Sequence, residues 1–309
     1  MLIYDGRCNH YWNTTYNRIQ KNGIKCPFCA NKKVWIGFND IATTDPWMIG
    51  LMKNKNDSFK YTRGSSKKID WCCNICGKEY NKTICEVWKH GLACENCSDG
   101  RSYPERLITN LLDELELYFI SQFTIEGYSY IYDFYIPKYN CIIETHGNQH
   151  YDKHGFGVIN SSRARTLEEE QINDKLKNDL AVSLGFTYIV LDCRNSDFNF
   201  IKKSILSTEF CDVFDVNIRN VDFRNLHIKS VQSNYLKVCE LYNKGVNIED
   251  IEKYVHLSYV TITKYLRNGT KNGLCNYNGM ENVINKLKEY NEKSKKLVRC
   301  IRQIKFLIL

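Results

Sequence analysis

Residues 130–150 have the sequence YIYDFYIPKYNCIIETHGNQH, which contains two strand-forming segments that each carry an acid. Residues 130–136 are aromatic or β-branched except for Asp133, and residues 141–144 form a short apolar run that ends on Glu144. Aromatic and β-branched side chains favour strands. Because an ionised carboxylate is costly to bury without a partner, an acid inside such a strand indicates a functional site.

Helical patterns on both sides of these strands predict a compact α/β layout. Ser102, followed by Pro104 and Glu105, has the pattern of a helix start, and leucines at helical spacing follow it. We predict a strand over residues 118–125, a polar loop over 146–165, a helix from about residue 168 to residue 185, and a buried strand over 186–191. The predicted buried positions of the second helix are Ile172, Leu176 and Leu180.

The two acids and a nearby histidine predict a metal-dependent catalytic site. Period-two alternation places Glu144 and His146 on one face of their strand. Carboxylates on neighbouring strand ends, here Asp133 and Glu144, form an oxygen site of the kind that Mg²⁺ takes when it also binds phosphate. A histidine beside them can act as a general base or as a metal ligand. The role of Glu105 stays open, since it also completes a capping box with Ser102.

At these residues the chain resembles the PD-(D/E)XK nuclease superfamily, and more closely its Very-short-patch-repair-like branch. The superfamily pattern is a helix Glu, a strand Asp and a Glu-x-Lys, which correspond here to Glu105, Asp133 and Glu144-Thr-His146. The run Thr145-His146-Gly147 is similar to the Thr-His-Gly of the patch-repair enzymes. The resemblance implies a restriction-endonuclease-like α/β core over residues 100–217 and a DNA endonuclease that uses Mg²⁺ or Mn²⁺.

The chain departs from that pattern at one position, because His146 stands where the superfamily has lysine. The general base therefore stays open between His146, His150 and a lysine of the following helix such as Lys175. The candidate catalytic residues are Glu105, Asp133, Glu144, His146, Gln149 and His150, with the divalent metal on Asp133 and Glu144.

The first 99 residues contain a cysteine repeat. Cys8, Cys26 and Cys29 recur with the same spacing, 68 residues later, as Cys76, Cys94 and Cys97. The second copy, residues 70–99, is completed by Cys73, so that two Cys-x2-Cys knuckles offer four thiolates for a tetrahedral zinc. The predicted structural zinc ligands of this copy are Cys73, Cys76, Cys94 and Cys97.

The first copy, at about residues 1–31, lacks the fourth cysteine. Asp5 stands in the place of Cys73, and His10 lies two residues after Cys8. We predict the set Cys8, His10, Cys26 and Cys29, with Asp5 as the second choice for the fourth ligand and an empty site as the alternative, so that the chain holds one or two zinc ions.

The whole region resembles zinc-ribbon repeats that occur beside endonuclease domains in phage and bacterial genomes. Among the segments that carry this resemblance are Cys26-Pro-Phe-Cys29, Thr43-Thr-Asp-Pro46 and Gly64-Ser-Ser-Lys-Lys68.

The C-terminal part has the pattern of short helices. We predict helices over residues 231–243, 248–254 and 259–267, the last closed by Asn268-Gly269, within a helical DNA-binding domain over 218–280 and before a basic tail over 281–309. Two short helices joined by a tight turn are typical of a helix-turn-helix, whose second helix enters the major groove. Residues 258–277 resemble the helix-turn-helix modules of phage homing endonucleases. The candidate DNA contacts are Thr261, Thr263, Lys264 and Arg267.

Composition limits the class of protein. The chain has 309 residues, 15 cysteines and a net charge of +8, and 43% of its residues are hydrophobic, which excludes a disordered chain. No segment approaches the ~18 apolar residues of a membrane span, and the N-terminus lacks the features of a secretion signal. Residues 101–217 have an acidic excess, whereas both flanking regions have a basic excess. We therefore expect a DNA-associated protein of the host cytoplasm, with basic modules on either side of an acidic catalytic centre.

These features together predict a multidomain α+β protein and a site-specific DNA endonuclease of the phage homing type. Its partner is double-stranded DNA, and cutting both strands would need a dimer or two successive events. Three alternatives stay open. They are a non-catalytic DNA-binding regulator with a decayed nuclease core, a mismatch-directed repair nuclease, and an RNA-binding zinc-ribbon protein.

Overall fold

The computed structural model describes residues 2–5, 8–17, 19, 25–152 and 166–279. The chain divides into two compact units, Met1–Gln232 and Ser233–Leu309. The predicted tail over 281–309 lies outside the described residues. None of the described helices combines the length and the apolar character that crossing a membrane requires.

The first unit begins with two small antiparallel hairpins that match the predicted repeat. They have equivalent registers, because Leu2 pairs with Asn13 in the first and Asp70 pairs with Asn81 in the second. In chain order, the elements described in this part of the unit are β1 (Leu2–Asp5), β2 (His10–Asn13), α1 (Ile41–Thr44), two 3-10 turns (Pro46–Leu51 and Lys55–Phe59), β3 (Lys68–Cys72), β4 (Glu79–Thr83) and α2 (Ile84–His90).

A four-stranded sheet forms the centre of the first unit. Its strand order is β5-β6-β7-β8, with β5, β6 and β7 antiparallel and β8 parallel to β7. This order of a helix, three strands, a helix and a strand is the predicted one. Its elements are α3 (Tyr103–Glu114), β5 (Ile120–Thr124), β6 (Ile131–Ile136), β7 (Cys141–His146), α4 (Leu167–Ser183) and β8 (Thr187–Asp192).

Helices cover both faces of this sheet, as is usual for mixed sheets. Apolar side chains of α3 pack with Phe134 and Ile143 in the main core, and Tyr132 and Ile142 pack with Ala181 of α4 in a smaller cluster. The prediction that α4 buries Ile172 and Leu176 is wrong, since these side chains are 60% and 51% exposed.

The reason is the orientation of α4 about its axis. The helix turns a polar side, with Asp174 and Lys177, towards Glu144 and the histidines that follow it. Ile172 and Leu176, one turn apart, then lie on the side that faces solvent.

Three more helices follow β8 in the first unit. The unit therefore ends later in the chain than the sequence predicted. These helices are α5 (Phe198–Leu206), α6 (Phe210–Phe214) and α7 (Phe223–Val231). The prediction that the helical C-terminal domain begins at residue 218 is wrong, because Phe223, Leu226 and Val231 of α7 are buried in the main core. The boundary lies between Gln232 and Ser233 instead.

The second unit is helical in its described part. It contains α8 (Asn234–Asn243), α9 (Ile248–Val255) and α10 (Tyr259–Lys271), and His256 in the left-handed region begins the turn between α9 and α10. The predicted end of α10 at Asn268-Gly269 is too early. Gly269 lies inside the helix, where an added Cβ would be 2.5 Å from the Sγ of Cys239 and 2.8 Å from that of Cys275, so close packing requires glycine there.

Candidate metal and catalytic sites

The second hairpin brings four cysteines together. Cys73 and Cys76 lie in the turn between β3 and β4, and Cys94 and Cys97 follow α2. The Sγ atoms of Cys76 and Cys94 are 3.5 Å apart, and those of Cys73 and Cys97 are 4.0 Å apart. A tetrahedron of sulfurs around zinc, with Zn–S bonds of ~2.3 Å, has edges of ~3.8 Å. The cluster could therefore hold a zinc ion.

One of these thiols is already shifted towards the form that binds metal. Burial tends to raise the pKa of Cys76, but a hydrogen bond from the Lys78 backbone and the neighbouring thiols lower it to about 7. Zinc binds the thiolate rather than the thiol. Burial raises the pKa of Cys73 to about 11 and also raises that of Cys97, so zinc binding would have to release protons from these two thiols.

The first hairpin brings together three cysteines and a histidine. The Nδ1 atom of His10 lies 3.4 Å from the Sγ of Cys26 and 3.5 Å from that of Cys29, and Cys8 belongs to the same cluster. These distances match the N–S edge of ~3.6 Å expected around a tetrahedral zinc. Of the two predicted choices, His10 is the residue within the cluster, and the side chain of Asp5 lies outside the described part.

Aromatic rings hold His10 in place. The centroid of its imidazole lies 4.3 Å from that of Phe38, 5.0 Å from that of Trp35 and 5.5 Å from that of Phe28. The imidazole is almost completely buried. Its orientation towards the cysteines is therefore fixed by packing as well as by the strand.

The central sheet brings the predicted carboxylates together at the end of β7. The Oδ2 atom of Asp133 accepts hydrogen bonds from the backbone nitrogen of Thr145, at 2.8 Å, and from its Oγ1, at 2.6 Å. The two bonds fix the Asp133 carboxylate beside β7. The residue before the histidine of the Thr-His-Gly run therefore positions the acid of the neighbouring strand.

Glu144 is buried next to Asp133 and carries a close cationic partner. Its Oε1 lies 2.5 Å from the Nζ of Lys177 on α4, and the side chains are 7% and 13% exposed. Burial raises the pKa of Glu144 to about 7, and the charge of Asp133 adds to the rise, whereas Lys177 opposes it. A carboxyl with such a pKa releases its proton readily when a cation binds beside it.

Glu105 has the capping role that the sequence indicated, and its carboxyl interacts electrostatically with Asp133. It completes the capping box of α3, where Ser102 Oγ accepts from the Glu105 nitrogen and Glu105 Oε1 accepts from the Ser102 nitrogen. Burial raises the pKa of Glu105, and the negative charge of Asp133 raises it further.

Two histidines and an aspartate form a second group beside the carboxylates. The rings of His146 and His150 are stacked, with centroids 4.1 Å apart and an angle of 9° between planes. The Oδ2 atom of Asp174 lies 2.6 Å from the Nδ1 of His150 and 3.9 Å from the Nδ1 of His146. The three side chains could hold a metal ion.

Burial and charge set the protonation of this group. Burial lowers the pKa of His146 to about 4, and the nearby His150 contributes to the decrease. Burial alone would raise the pKa of Asp174, but the hydrogen bond with His150 and the charge of both imidazoles lower it. His146 is therefore neutral at pH 7, and Asp174 is an anion that orients His150.

The sequence did not indicate two residues of this group, and two residues that it did indicate are exposed in the structure. Asp174 and Lys177 were not predicted, and Lys175, which was considered as a base, is exposed on α4. Gln149 is also exposed, and its side chain lies over Gly147. Helical spacing contains a signal for the missed pair, because residues three apart lie on one side of a helix. The sequence alone does not tell which side faces the strands.

The second unit places three of the four predicted DNA contacts at or near the surface of α10. Lys264 and Arg267 are exposed and Thr261 is half-buried. The prediction for Thr263 is wrong, because its side chain is buried and its Oγ1 donates to the carbonyl of Val260. The helix turns Thr263 inward together with Ile262 and Leu266.

Comparison of the chain with protein-family models, with curated proteins and with solved structures finds no match in any of the three.

Proposed function

We propose that this protein is a metal-dependent, site-specific DNA endonuclease of the homing type. The observation that carries the proposal is the buried carboxyl of Glu144 at the end of β7, which interacts electrostatically with Asp133 and with Asp174 of the His150–Asp174 pair. A buried acid whose pKa is raised, here Glu144, beside an oriented imidazole is typical of hydrolytic sites.

We assign two kinds of metal ion to the donor groups of the chain. The cysteine clusters offer sulfur and nitrogen at the distances that zinc requires, so we assign them structural zinc. Asp133 and Glu144, with Glu105 nearby, offer the hard oxygen ligands that Mg²⁺ or Mn²⁺ prefers. When bound there, the divalent ion would supply Lewis-acid stabilisation of the charge on the scissile phosphate.

In the proposed mechanism, His150 accepts a proton and Asp174 orients its imidazole. The short contact of His150 Nδ1 with Asp174 suits an N–H that donates to the carboxylate, which leaves Nε2 to accept a proton. In the proposed step, water loses a proton to Nε2 while its oxygen bonds to phosphorus. The phosphorus–oxygen bond to the leaving group breaks, and that oxygen takes a proton from solvent. Asp174 keeps the imidazole in the accepting tautomer.

Duplex binding is assigned to the parts of the chain that carry basic side chains. The exposed side of α10 presents Lys264 and Arg267, as expected of a helix that reads a major groove. The first 99 residues also carry a basic excess. Modules that bind the same duplex raise each other's effective concentration, so neither has to be highly specific.

The test separates cutting from binding. We expect the Asp133→Asn variant to bind the DNA that flanks its gene as tightly as the unchanged chain and to lose Mg²⁺-dependent cleavage by at least about 100-fold. Gel-shift and cleavage assays on the same duplex measure both quantities. A chain that binds this DNA and never cuts it would be a regulator instead.

A second pair of variants tests the base. Asp174→Asn removes the anion that orients His150, and we expect cleavage to slow by about 100-fold. Asp179→Asn, on the exposed side of the same helix, is the matched control and should cut at the normal rate. Equal rates for the two variants would remove His150 from its proposed role.

A further inference from the structure

The two zinc-ribbon hairpins present different side chains to solvent although their registers are equivalent. In the first hairpin, Tyr4 pairs with Tyr11 on the outer face, and these rings are 56% and 52% exposed. The equivalent pair of the second hairpin is Cys72 with Glu79. The outer face of a small sheet is normally polar, and only the second hairpin follows this rule.

The exposed rings of the first hairpin stack on one another and form an aromatic surface. Tyr4 and Tyr11 stack with centroids 5.2 Å apart and an interplanar angle of 28°, and the hydroxyl of Tyr4 donates to Asn9. Tyr11 continues to Trp35, at 6.3 Å. We call Tyr4, Tyr11 and Trp35 the aromatic platform. Exposed apolar side chains in a group mark a binding surface more often than single ones do.

The segment that joins Tyr11 to Trp35 of the platform favours an anionic partner. It contains five Lys or Arg residues and no Asp or Glu. Of these, Lys25, Lys32 and Lys33 are exposed. The second ribbon has acidic and basic side chains in similar numbers over the equivalent segment. Aromatic faces together with cations are the pattern that binds the bases and phosphates of a single strand.

We propose that the aromatic platform of the first ribbon binds single-stranded DNA by stacking unpaired bases on Tyr4 and Tyr11. The choice of DNA rests on the proposed function, while the stacking does not, since any base has a face that a tyrosine ring can accept. Lys25, Lys32 and Lys33 neutralise the phosphates of the same strand. The second ribbon, without rings at the equivalent positions, has no such surface.

The test uses the full zinc-loaded chain and a fluorescein-labelled oligothymidylate, without added divalent metal. We expect Tyr4→Leu/Tyr11→Leu to bind this strand at least about tenfold more weakly, because stacking contributes that much per base. Leucine keeps an apolar side chain on the hairpin. Tyr4→Phe/Tyr11→Phe, which keeps the rings, should bind normally, and so should the matched second-ribbon variant Cys72→Ser/Glu79→Gln. Zinc content and melting temperature show whether each variant is folded.

Three results would overturn the inference. The first is that the leucine variant binds oligothymidylate as tightly as the unchanged chain does. The second is that the unchanged chain binds an abasic strand of the same length as tightly as it binds oligothymidylate. The third is that the unchanged chain binds oligouridylate more tightly than oligothymidylate. In the first case, a change in self-association of the leucine variant would assign the surface to a protein contact. The test measures binding and not cleavage. Its result would therefore stand even if the protein proved not to be a nuclease.

Discussion

The two cysteine-bearing hairpins, the proposed first and second ribbons, share an arrangement of side chains that could hold a metal and differ in what surrounds it. In the first cluster, aromatic rings surround His10, and the hairpin exposes two tyrosines to solvent. The second is continued by α2, whose Trp88 donates to the buried Asp45 and packs on His227 of α7. Ligand spacing thus fixes the frame in both copies, while the surroundings have diverged. We infer that the second ribbon stabilises the central core and the first is free to bind a partner.

Loss of a zinc ligand should give the largest difference between the two. Cys94→Ser removes a ligand from the second cluster, and Cys29→Ser removes one from the first. We expect each variant to lose one of two zinc ions, because a structural site needs all four ligands. The free energy of unfolding of the first unit should fall by more than about 3 kcal/mol only for Cys94→Ser. Metal analysis and thermal unfolding check both statements, and equal destabilisation would refute the comparison.

The contact between the second ribbon and α7 provides the next test. Gly91 has a φ of +74°, and an added Cβ would lie 2.4 Å from the carbonyl oxygen of Val231. We expect Gly91→Ala to cost about 3 kcal/mol, since a backbone oxygen cannot move aside cheaply.

The matched control for Gly91 lies near the first ribbon. Gly37 has a φ of +84° with open space around it, so Gly37→Ala should cost about 1 kcal/mol from backbone strain alone. Denaturant unfolding measures both variants. A Gly91→Ala chain as stable as Gly37→Ala would mean that α7 does not hold the second ribbon.

The smallest effect concerns pH. Burial lowers the pKa of His227 to about 4, although the charge of Asp45 opposes the decrease. The unfolded chain binds the proton with a pKa of ~6.5. The contribution of His227 to the free energy of unfolding is therefore fully present above pH 6.5. It is lost as the pH falls towards 4, at up to about 1.4 kcal/mol per pH unit.

A substitution of His227 isolates this contribution. The free energy of unfolding of each chain is measured at pH 7.5 and at pH 5.5. Between these two values the unchanged chain should lose about 1 kcal/mol more than the His227→Phe variant, because phenylalanine cannot bind a proton. Identical pH dependence of the two chains would contradict the assignment of a buried neutral imidazole between α2 and α7.

What the sequence could predict depended on short-range patterns. Cysteine spacing identified both clusters and favoured His10 over Asp5, because ligands of a small hairpin lie close together in sequence. Alternation in residues 130–150 gave two strands with Asp133 and Glu144 in them. Capping signals located the start of α3 at Ser102.

What it could not predict depended on how helices dock. Asp174 and Lys177 belong to the site only because α4 turns their side towards β7, and a helix with apolar residues at Ile172 and Leu176 suggested the opposite orientation. Thr263 was misplaced for the same reason, since the rotation of α10 is set by packing in the second unit. The assignment of α7 to the central core likewise follows from the burial of Phe223, which no local pattern shows.

Mapping of DNA ends tests the central claim most directly. The full chain, loaded with zinc, is incubated with Mg²⁺ and the DNA that flanks its own gene, next to the Asp133→Asn variant. The account predicts new ends at a defined position, present with the unchanged chain and absent with the variant or without Mg²⁺. DNA that is bound and stays intact, or that is cut equally by the Asp133→Asn chain, would contradict it.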